Sequence, residues 1–477
     1  MASHTASIFF AGVIEGFYGP PWSQIERREL LDWMVRSGLN TYCYAPKDDL
    51  KHRALWRELY SPPEAESLRE LITSCHHRGI EFIYALGPGL DLHYSHESDL
   101  DQLQKRLAQL LELGCPHFSL LFDDIPDRMD PEDQKRWGSL ASAQCYVTNT
   151  LFRWVRERQP HARFFFCPTP YCGRMAERQL GGADYLDTVG RELLPEIDVC
   201  WTGSEIISEQ ITVAHIQGLQ KVLRRKPFLW DNLHANDYDG RRFFCGPYAG
   251  RPVELKHELS GLLLNPNTEF HLNYVPIRTL GDFVKCQGSW DARAAYATAM
   301  QDWYKEFATA TQPVALEDLI LFGDCFYLPY TDGPLAIDLY EQARGLLSRP
   351  PSEWGEAAVK FRHLAIRLRD FCARLAELRQ RPLFYALSRR LWELREELDL
   401  LIRYVTRVAD PANRDKLGRS DFHLPGTYRG SFVARLQQLL LQQTDESFVP
   451  APPIPLRWAP TPSLKLKTRS SSTLPCS

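Results

Sequence analysis

Up to about residue 290, short apolar runs alternate with longer stretches whose apolar positions recur every three or four residues. The short runs are Ile8–Ile14, Leu39–Tyr44, Glu81–Leu86, His117–Phe122, Arg163–Cys167, Asp198–Thr202, Pro227–Trp230 and Glu269–Tyr274. They read as strands. Between them, Ile25–Arg36, Ala65–His77, Leu100–Leu113 and Asp133–Arg158 read as helices. Strands that are apolar almost throughout are buried on both faces, as in a parallel sheet covered by helices. Eight of them in roughly 280 residues fit an α/β fold, a (β/α)8 TIM barrel. A doubly wound open sheet is the alternative, but no GxGxxG turn follows the first run to support it.

After about residue 300 the strand pattern stops. Trp354–Leu378 and Phe384–Val408 place apolar residues in alternating steps of three and four, the seam of a heptad repeat. Pro382 starts the second of these helices, and Phe432–Leu441 adds another. The expected organisation is a barrel over residues 1–290, a helical bundle or stalk over 291–445, and a tail over 446–477. Val449–Ser477 holds seven prolines, a serine run and no apolar period, so disorder is expected there. Trp392, Leu400 and Ile402 widen the apolar face of the second long helix beyond one stripe. That suggests a homodimer through the helical region.

Composition narrows the function classes. A net charge of −4 argues against a strongly basic nucleic-acid surface. No run of about 20 apolar residues appears, so no membrane helix is expected. The N-terminus lacks the basic and apolar regions of a signal peptide. None of the twelve cysteines forms a CxxC pair, and no Asn-x-Ser/Thr sequon occurs. A reducing setting, cytoplasmic or nuclear, is therefore expected, with no zinc cluster.

Polar residues follow the apolar runs: Glu15-Gly16-Phe17-Tyr18-Gly19, Ala45-Pro46-Lys47-Asp48-Asp49, Asp123-Asp124, Pro168-Thr169-Pro170-Tyr171, Asp231-Asn232 and Asn273. Barrel enzymes build their sites from these strand ends. Helix caps and turns are the bland alternative. The sharpest feature is Ser119-Leu120-Leu121-Phe122-Asp123-Asp124, an apolar run that ends in two carboxylates. Like charges this close resist joint ionisation, which raises one pKa. One acid and one carboxylate are what glycosidic cleavage needs. A metal site would need more ligands than His234 and scattered carboxylates, and a helix cap or a partner for Arg128 is the structural alternative. In Trp230–Asp239, hydrogen-bonding side chains cluster beside an indole, a pairing suited to vicinal hydroxyls and the apolar face of a sugar.

Gly12–Trp22, Leu39–Arg53, Glu81–Leu90, Phe118–Ile125, Cys167–Gly173, Trp201–Gly203, Trp230–Asp239 and Asn273–Val275, in this order, resemble the catalytic domain of family 84 glycoside hydrolases. The resemblance covers roughly residues 8–290 and continues less closely into the helical stalk. Animal members of that family remove O-linked N-acetylglucosamine from Ser and Thr of intracellular proteins and carry an acetyltransferase-like domain, for which this chain is expected to be too short. The resemblance implies a retaining reaction in which the 2-acetamido oxygen of the substrate attacks and forms an oxazoline. It implies that Asp123 orients the acetamido group and that Asp124 is the acid and base. Tyr171 would hydrogen-bond the acetamido oxygen, Asn232 would support the acid, and Trp230 would wall the acetyl pocket. Gly16, Lys47, Asp237 and Asn273 would hold sugar hydroxyls, and Tyr18 would line the pocket. No metal or organic cofactor is implied, and O-GlcNAc-modified proteins are the implied partners. The alternatives are another N-acetylhexosaminidase, including a hyaluronan-directed one, and a catalytically weak sugar-binding protein.

Overall fold

Eight strands hydrogen-bond in chain order and close on themselves, each parallel to its neighbours. The computed structural model in which this is seen describes residues 8–409, 429–444 and 447–452. The strands are β1 (Phe10–Glu15), β2 (Thr41–Tyr44), β3 (Glu81–Leu86), β4 (His117–Leu121), β5 (Phe164–Cys167), β6 (Asp198–Trp201), β7 (Phe228–Asp231) and β8 (Gly261–Leu264). Seven fall within about two residues of the expected runs.

The apolar runs are near-continuous because each strand buries both faces. Ile14, Cys43, Ile83, Leu121, Phe165, Cys200, Phe228 and Leu263 pack together inside the barrel. Their chain neighbours Val13, Tyr42, Phe82, Leu120, Phe166, Val199, Leu229 and Leu262 face the other way and pack under the surrounding helices.

The eighth strand is not where the sequence pattern puts it. Phe270–Leu272 is a 3-10 turn, and Tyr274–Lys285 is a helix. A 3-10 turn also buries alternate apolar residues. Here Phe270 stacks on Trp33 at 4.6 Å and meets Trp22 edge-on at 5.4 Å. The true strand, Gly261–Leu264, needs its glycine because a Cβ there would lie 2.2 Å from the Phe228 ring. The single long helix expected at Asp133–Arg158 is two helices, Pro131–Trp137 and Leu140–Arg158. Gly138 ends the first in a positive-φ conformation, and Ser139 caps the second through the Ser142 amide.

The helices Gly355–Arg374 and Arg381–Ala409 pack against each other. Phe361, Leu368 and Phe371 of one seam, and Leu387, Leu391, Leu394 and Leu398 of the other, are buried in a second core, as are Leu400 and Ile402. Both seams are thus largely filled within one chain, with Leu364 and Phe384 partly buried against the same core. Phe432–Leu441 is helical only to Gln437, after which Leu440–Gln442 (β9) pairs antiparallel with Phe448–Pro450 (β10). The expected tail therefore begins with a strand. Its remainder from 453 onward lies outside the described residues. The bundle is bolted to the barrel's upper loops: Arg390 Nη2 donates to Glu269 Oε1 at 2.5 Å and to the Gly240 carbonyl at 2.9 Å. No described helix is long and apolar enough to cross a membrane.

Candidate active site

The inward parity of each strand carries past its end. Ile14 leads to Gly16, Cys43 to Lys47, Leu121 to Asp123, Trp230 to Asn232, and Leu263 to Asn265. These residues line a cleft of about 520 Å³ at the C-terminal mouth of the barrel, within the range of roughly 300–1,000 Å³ usual for small-molecule sites.

Alternation would send Asp123 and Asp124 to opposite sides. Yet both line the cleft. The Asp124 backbone is left-handed, with φ 50°, and this turns its side chain back towards the mouth.

The two carboxylates have different partners. Lys47 Nζ donates to Asp123 Oδ2 at 2.5 Å, and both side chains are buried. Burial alone would push the Asp123 carboxyl up, but the Lys47 ammonium and its hydrogen bond outweigh it and hold the carboxyl below its ordinary range. At Asp123 the crowding of like charges is therefore not the ruling effect. Its second oxygen, Oδ1, is buried with no hydrogen-bond partner among the described residues. Asp124 instead accepts from two phenols, Tyr171 at 2.8 Å and Tyr18 at 3.0 Å. Burial and the Asp124 charge push both phenol pKa values up, so these groups stay protonated and donate. Asp237 Oδ2 accepts from the Tyr18 amide at 2.9 Å, and burial raises its pKa.

The indole of Trp230 forms a wall. Lys47 Nζ lies 5.4 Å from its ring, and Gly16 leaves it room, since a Cβ at Gly16 would fall 2.5 Å from Trp230 Cζ2. Asn232 Nδ2 donates to the Ile206 carbonyl at 2.9 Å, and its Oδ1 accepts from Asn265 Nδ2 at 2.9 Å.

The cleft thus gathers Gly16, Tyr18, Lys47, Asp123, Asp124, Tyr171, Trp230, Asn232 and Asp237. Asn273 is not among them. It is fully buried, and its Oδ1 accepts from the Asn267 amide at 2.8 Å while its Nδ2 donates to the Asn267 carbonyl at 2.8 Å. It shapes the chain after β8 rather than facing the cleft. Asn265 takes the strand-end position, and the misplaced eighth strand is why sequence reasoning passed over it. The run Gly261-Leu262-Leu263-Leu264-Asn265 was the available signal.

Asp231, one residue from Asn232, faces outward. It is fully buried against Arg251, which donates to its two oxygens at 2.7 Å each, and against the Tyr248 hydroxyl at 2.7 Å. At the rim, Arg174 pairs with Glu205 at 2.9 Å, and Tyr330 reaches in from the helical region to donate to the Ile207 carbonyl. No local pattern announces Tyr330, which lies far along the chain from its partner. Among the described residues, no group of three or more His, Cys, Asp or Glu could hold a metal.

Residues 11–318 match the family model for beta-N-acetylglucosaminidase. The chain is 46% identical over 349 residues to protein O-GlcNAcase of Rattus norvegicus, and equally to that of Mus musculus. The match takes in 72% of this chain but 37% of each relative's length. A solved structure of an O-GlcNAc hydrolase mutant from Thermobaculum terrenum superposes with a TM-score of 0.75 at 27% identity, covering 85% of either chain. With a barrel that ends in a paired-carboxylate cleft and a family match across most of its length, this chain belongs to the beta-N-acetylglucosaminidase family.

Proposed function

We propose that the chain is a retaining exo-β-N-acetylglucosaminidase that removes O-linked N-acetylglucosamine from Ser and Thr of proteins. The observation that carries this reading is the division of labour between adjacent acids. Asp123 is tied to Lys47 with one oxygen unpartnered, and Asp124 is held by two phenols.

The remaining carboxylates that line the cleft are Glu205, paired with Arg174, and Asp237, bound by the Tyr18 amide. A two-carboxylate displacement would need a second acid across the sugar from the first. The substrate's own acetamido oxygen can fill that role. An ionised Asp123 accepts the acetamido N–H through Oδ1 and raises the nucleophilicity of the carbonyl oxygen. That oxygen bonds to C1 as the bond from C1 to the Ser or Thr oxygen breaks. Asp124 gives its proton to the departing oxygen. Asp123 takes the acetamido N–H proton as the oxazoline closes and returns it as water, giving its own proton to Asp124, opens the ring, and two inversions at C1 give net retention.

Around the reacting atoms, Trp230 walls the acetyl group, and with substrate bound the Tyr171 hydroxyl turns its one proton from Asp124 Oδ1 to the acetamido oxygen, which leaves Oδ1 free to carry the proton of the acid. Gly16, Lys47 and Asp237 face the hydroxyls, and Asn265 takes the hydroxyl-binding place first assigned to Asn273. A cleft of about 520 Å³ is of a size to hold a single sugar, which favours exo cleavage. The chemistry requires no cofactor. A homodimer remains part of the proposal, by way of surfaces outside the two seams.

Purified protein should release fluorophore from a β-N-acetylglucosaminide and free sugar from a modified peptide, and Asp124→Asn should abolish the second release. Folded protein that cleaves neither substrate would refute the reading.

A further inference from the structure

One set of bonds at the site is explained neither by the reaction steps nor by the walls of the cleft. Arg53 lies on the chain after β2, half-buried and outside the lining of the cleft. Its guanidinium forks. Nη1 donates to the Tyr18 phenol oxygen at 2.5 Å, and Nη2 donates to the backbone carbonyl of Asp124 at 2.6 Å. The Tyr18 hydroxyl in turn donates a hydrogen bond to Asp124 Oδ2 at 3.0 Å. One side chain thus reaches Asp124 twice, at the backbone and, through a phenol, at the carboxylate. The guanidinium also sits 5.5 Å from the Tyr18 ring centre, which fixes the phenol between two charged groups.

Asp124 needs such a brace. Its φ of 50° places it among few non-glycine residues in the left-handed region. Aspartate tolerates that region better than most residues, but the conformation persists only where its surroundings over-determine it. If the peptide relaxed to an extended form, alternation would swing the carboxylate out of the cleft. A planar, permanently charged fork is suited to bind two fixed acceptors together, which an ammonium cannot do in the same geometry.

We infer that Arg53 is a positioning residue for Asp124, holding its left-handed carbonyl directly and its carboxylate through Tyr18, so that the acid stays aimed at the leaving oxygen. The inference rests on the reading of Asp124 as the proton donor. A merely structural brace would lower activity on every substrate alike. A brace for the acid matters in proportion to the need for protonation.

The test is the steady-state kinetics of Arg53→Met, Arg53→Lys and Tyr18→Phe, alone and with Asp124→Asn. The substrates are aryl β-N-acetylglucosaminides of graded leaving-group acidity and a modified peptide. Arg53→Met should lower kcat by about 10–100-fold on the peptide and by less than about threefold on the most activated aryl glycoside, with KM little changed. Tyr18→Phe should show the same bias at smaller amplitude, and Arg53→Lys should recover part of the loss. With Asp124→Asn already present, Arg53→Met should cost less than about twofold more, because residues that act through one group are not additive. Equal losses across leaving groups, or a full multiplicative loss in the Asp124→Asn background, would overturn the inference. If Arg53→Met fails to fold, Tyr18→Phe and Arg53→Lys carry the same leaving-group comparison. Inactivity of the unaltered protein on all substrates would overturn the hydrolase reading itself, and the inference with it.

Discussion

Lys47 Nζ stands 2.5 Å from Asp123 Oδ2, with both side chains buried, and this contact decides the charge state of the first acid. Burial raises the Asp123 pKa, the ammonium lowers it, and the ammonium wins. A group whose folded pKa is depressed is ionised over most of the working range and loses that charge only as pH falls through the lowered value. Lys47→Met removes the lowering influence and keeps the burial. The acid limb of the kcat/KM profile should therefore move to higher pH than in the unaltered protein. An unmoved acid limb would show that Asp123 ionisation does not govern it.

The same substitution leaves a buried carboxylate without its cation. Breaking a buried pair costs about 3 kcal/mol or more. The stability contributed by the depressed Asp123 pKa is present above its unfolded pKa and is lost as pH falls through the folded one. Urea melts of Lys47→Met should show the deficit near neutral pH and a smaller one in acid.

Asn265 and Asn273 should separate cleanly. Asn265 lines the cleft with its Nδ2 on Asn232 and its Oδ1 buried and unpartnered among the described residues, whereas Asn273 spends its amide on the Asn267 backbone. Asn265→Ala should lower kcat/KM by about tenfold or more, in line with a lost polar contact of about 1–3 kcal/mol, in addition to the stability lost with its bond to Asn232 Oδ1. Asn273→Ala should cost stability by a similar amount. Kinetics and thermal melts of the two variants check this, and the reverse pattern would restore Asn273 to the site.

That pair also marks what the sequence could and could not reveal. Strands such as β3 were legible because both faces are buried, so Glu81–Leu86 is apolar almost throughout. Asp123-Asp124 was legible because two charges at the end of such a run are costly unless they face a cleft. The eighth strand was not, because Phe270 and Leu272 alternate with polar residues in a 3-10 turn as they would in a strand. From that error Asn273 took the place of Asn265. Asp231 looked like a further site residue, yet it faces outward into a buried pair with Arg251, a partner the linear chain does not announce. Arg53 and Tyr330 were invisible for the same reason: their partners lie 35 or more positions away in sequence.

Gly16→Ala should act through Trp230. The new Cβ would sit 2.5 Å from Cζ2 of the indole, so the wall of the cleft must shift. Overpacking of this kind costs about 1–3 kcal/mol, and here the displaced group borders the sugar pocket. Turnover of the aryl glycoside should fall more than stability does. An unchanged kcat/KM would mean that the indole has room to move.

The proposed homodimer is checked by light scattering at micromolar concentration. Both heptad seams are largely filled inside one chain, so pairing must use outer residues such as the exposed Val359 and Tyr385. A dimer gives twice 55.0 kDa, and a mass of 55.0 kDa would leave the cleft to a single chain.

The central claim is that the substrate's acetamido oxygen is the nucleophile, held by Asp123 while Asp124 moves the proton. The most direct measurement is kcat/KM on aryl β-glucosaminides whose N-acetyl group carries zero, one, two or three fluorines. Fluorine withdraws electrons from the carbonyl oxygen and leaves the sugar ring and leaving group unchanged. The account predicts a steep monotonic fall with each fluorine for the unaltered protein. Rates that do not change along the series would contradict it, because they would place the nucleophile outside the substrate.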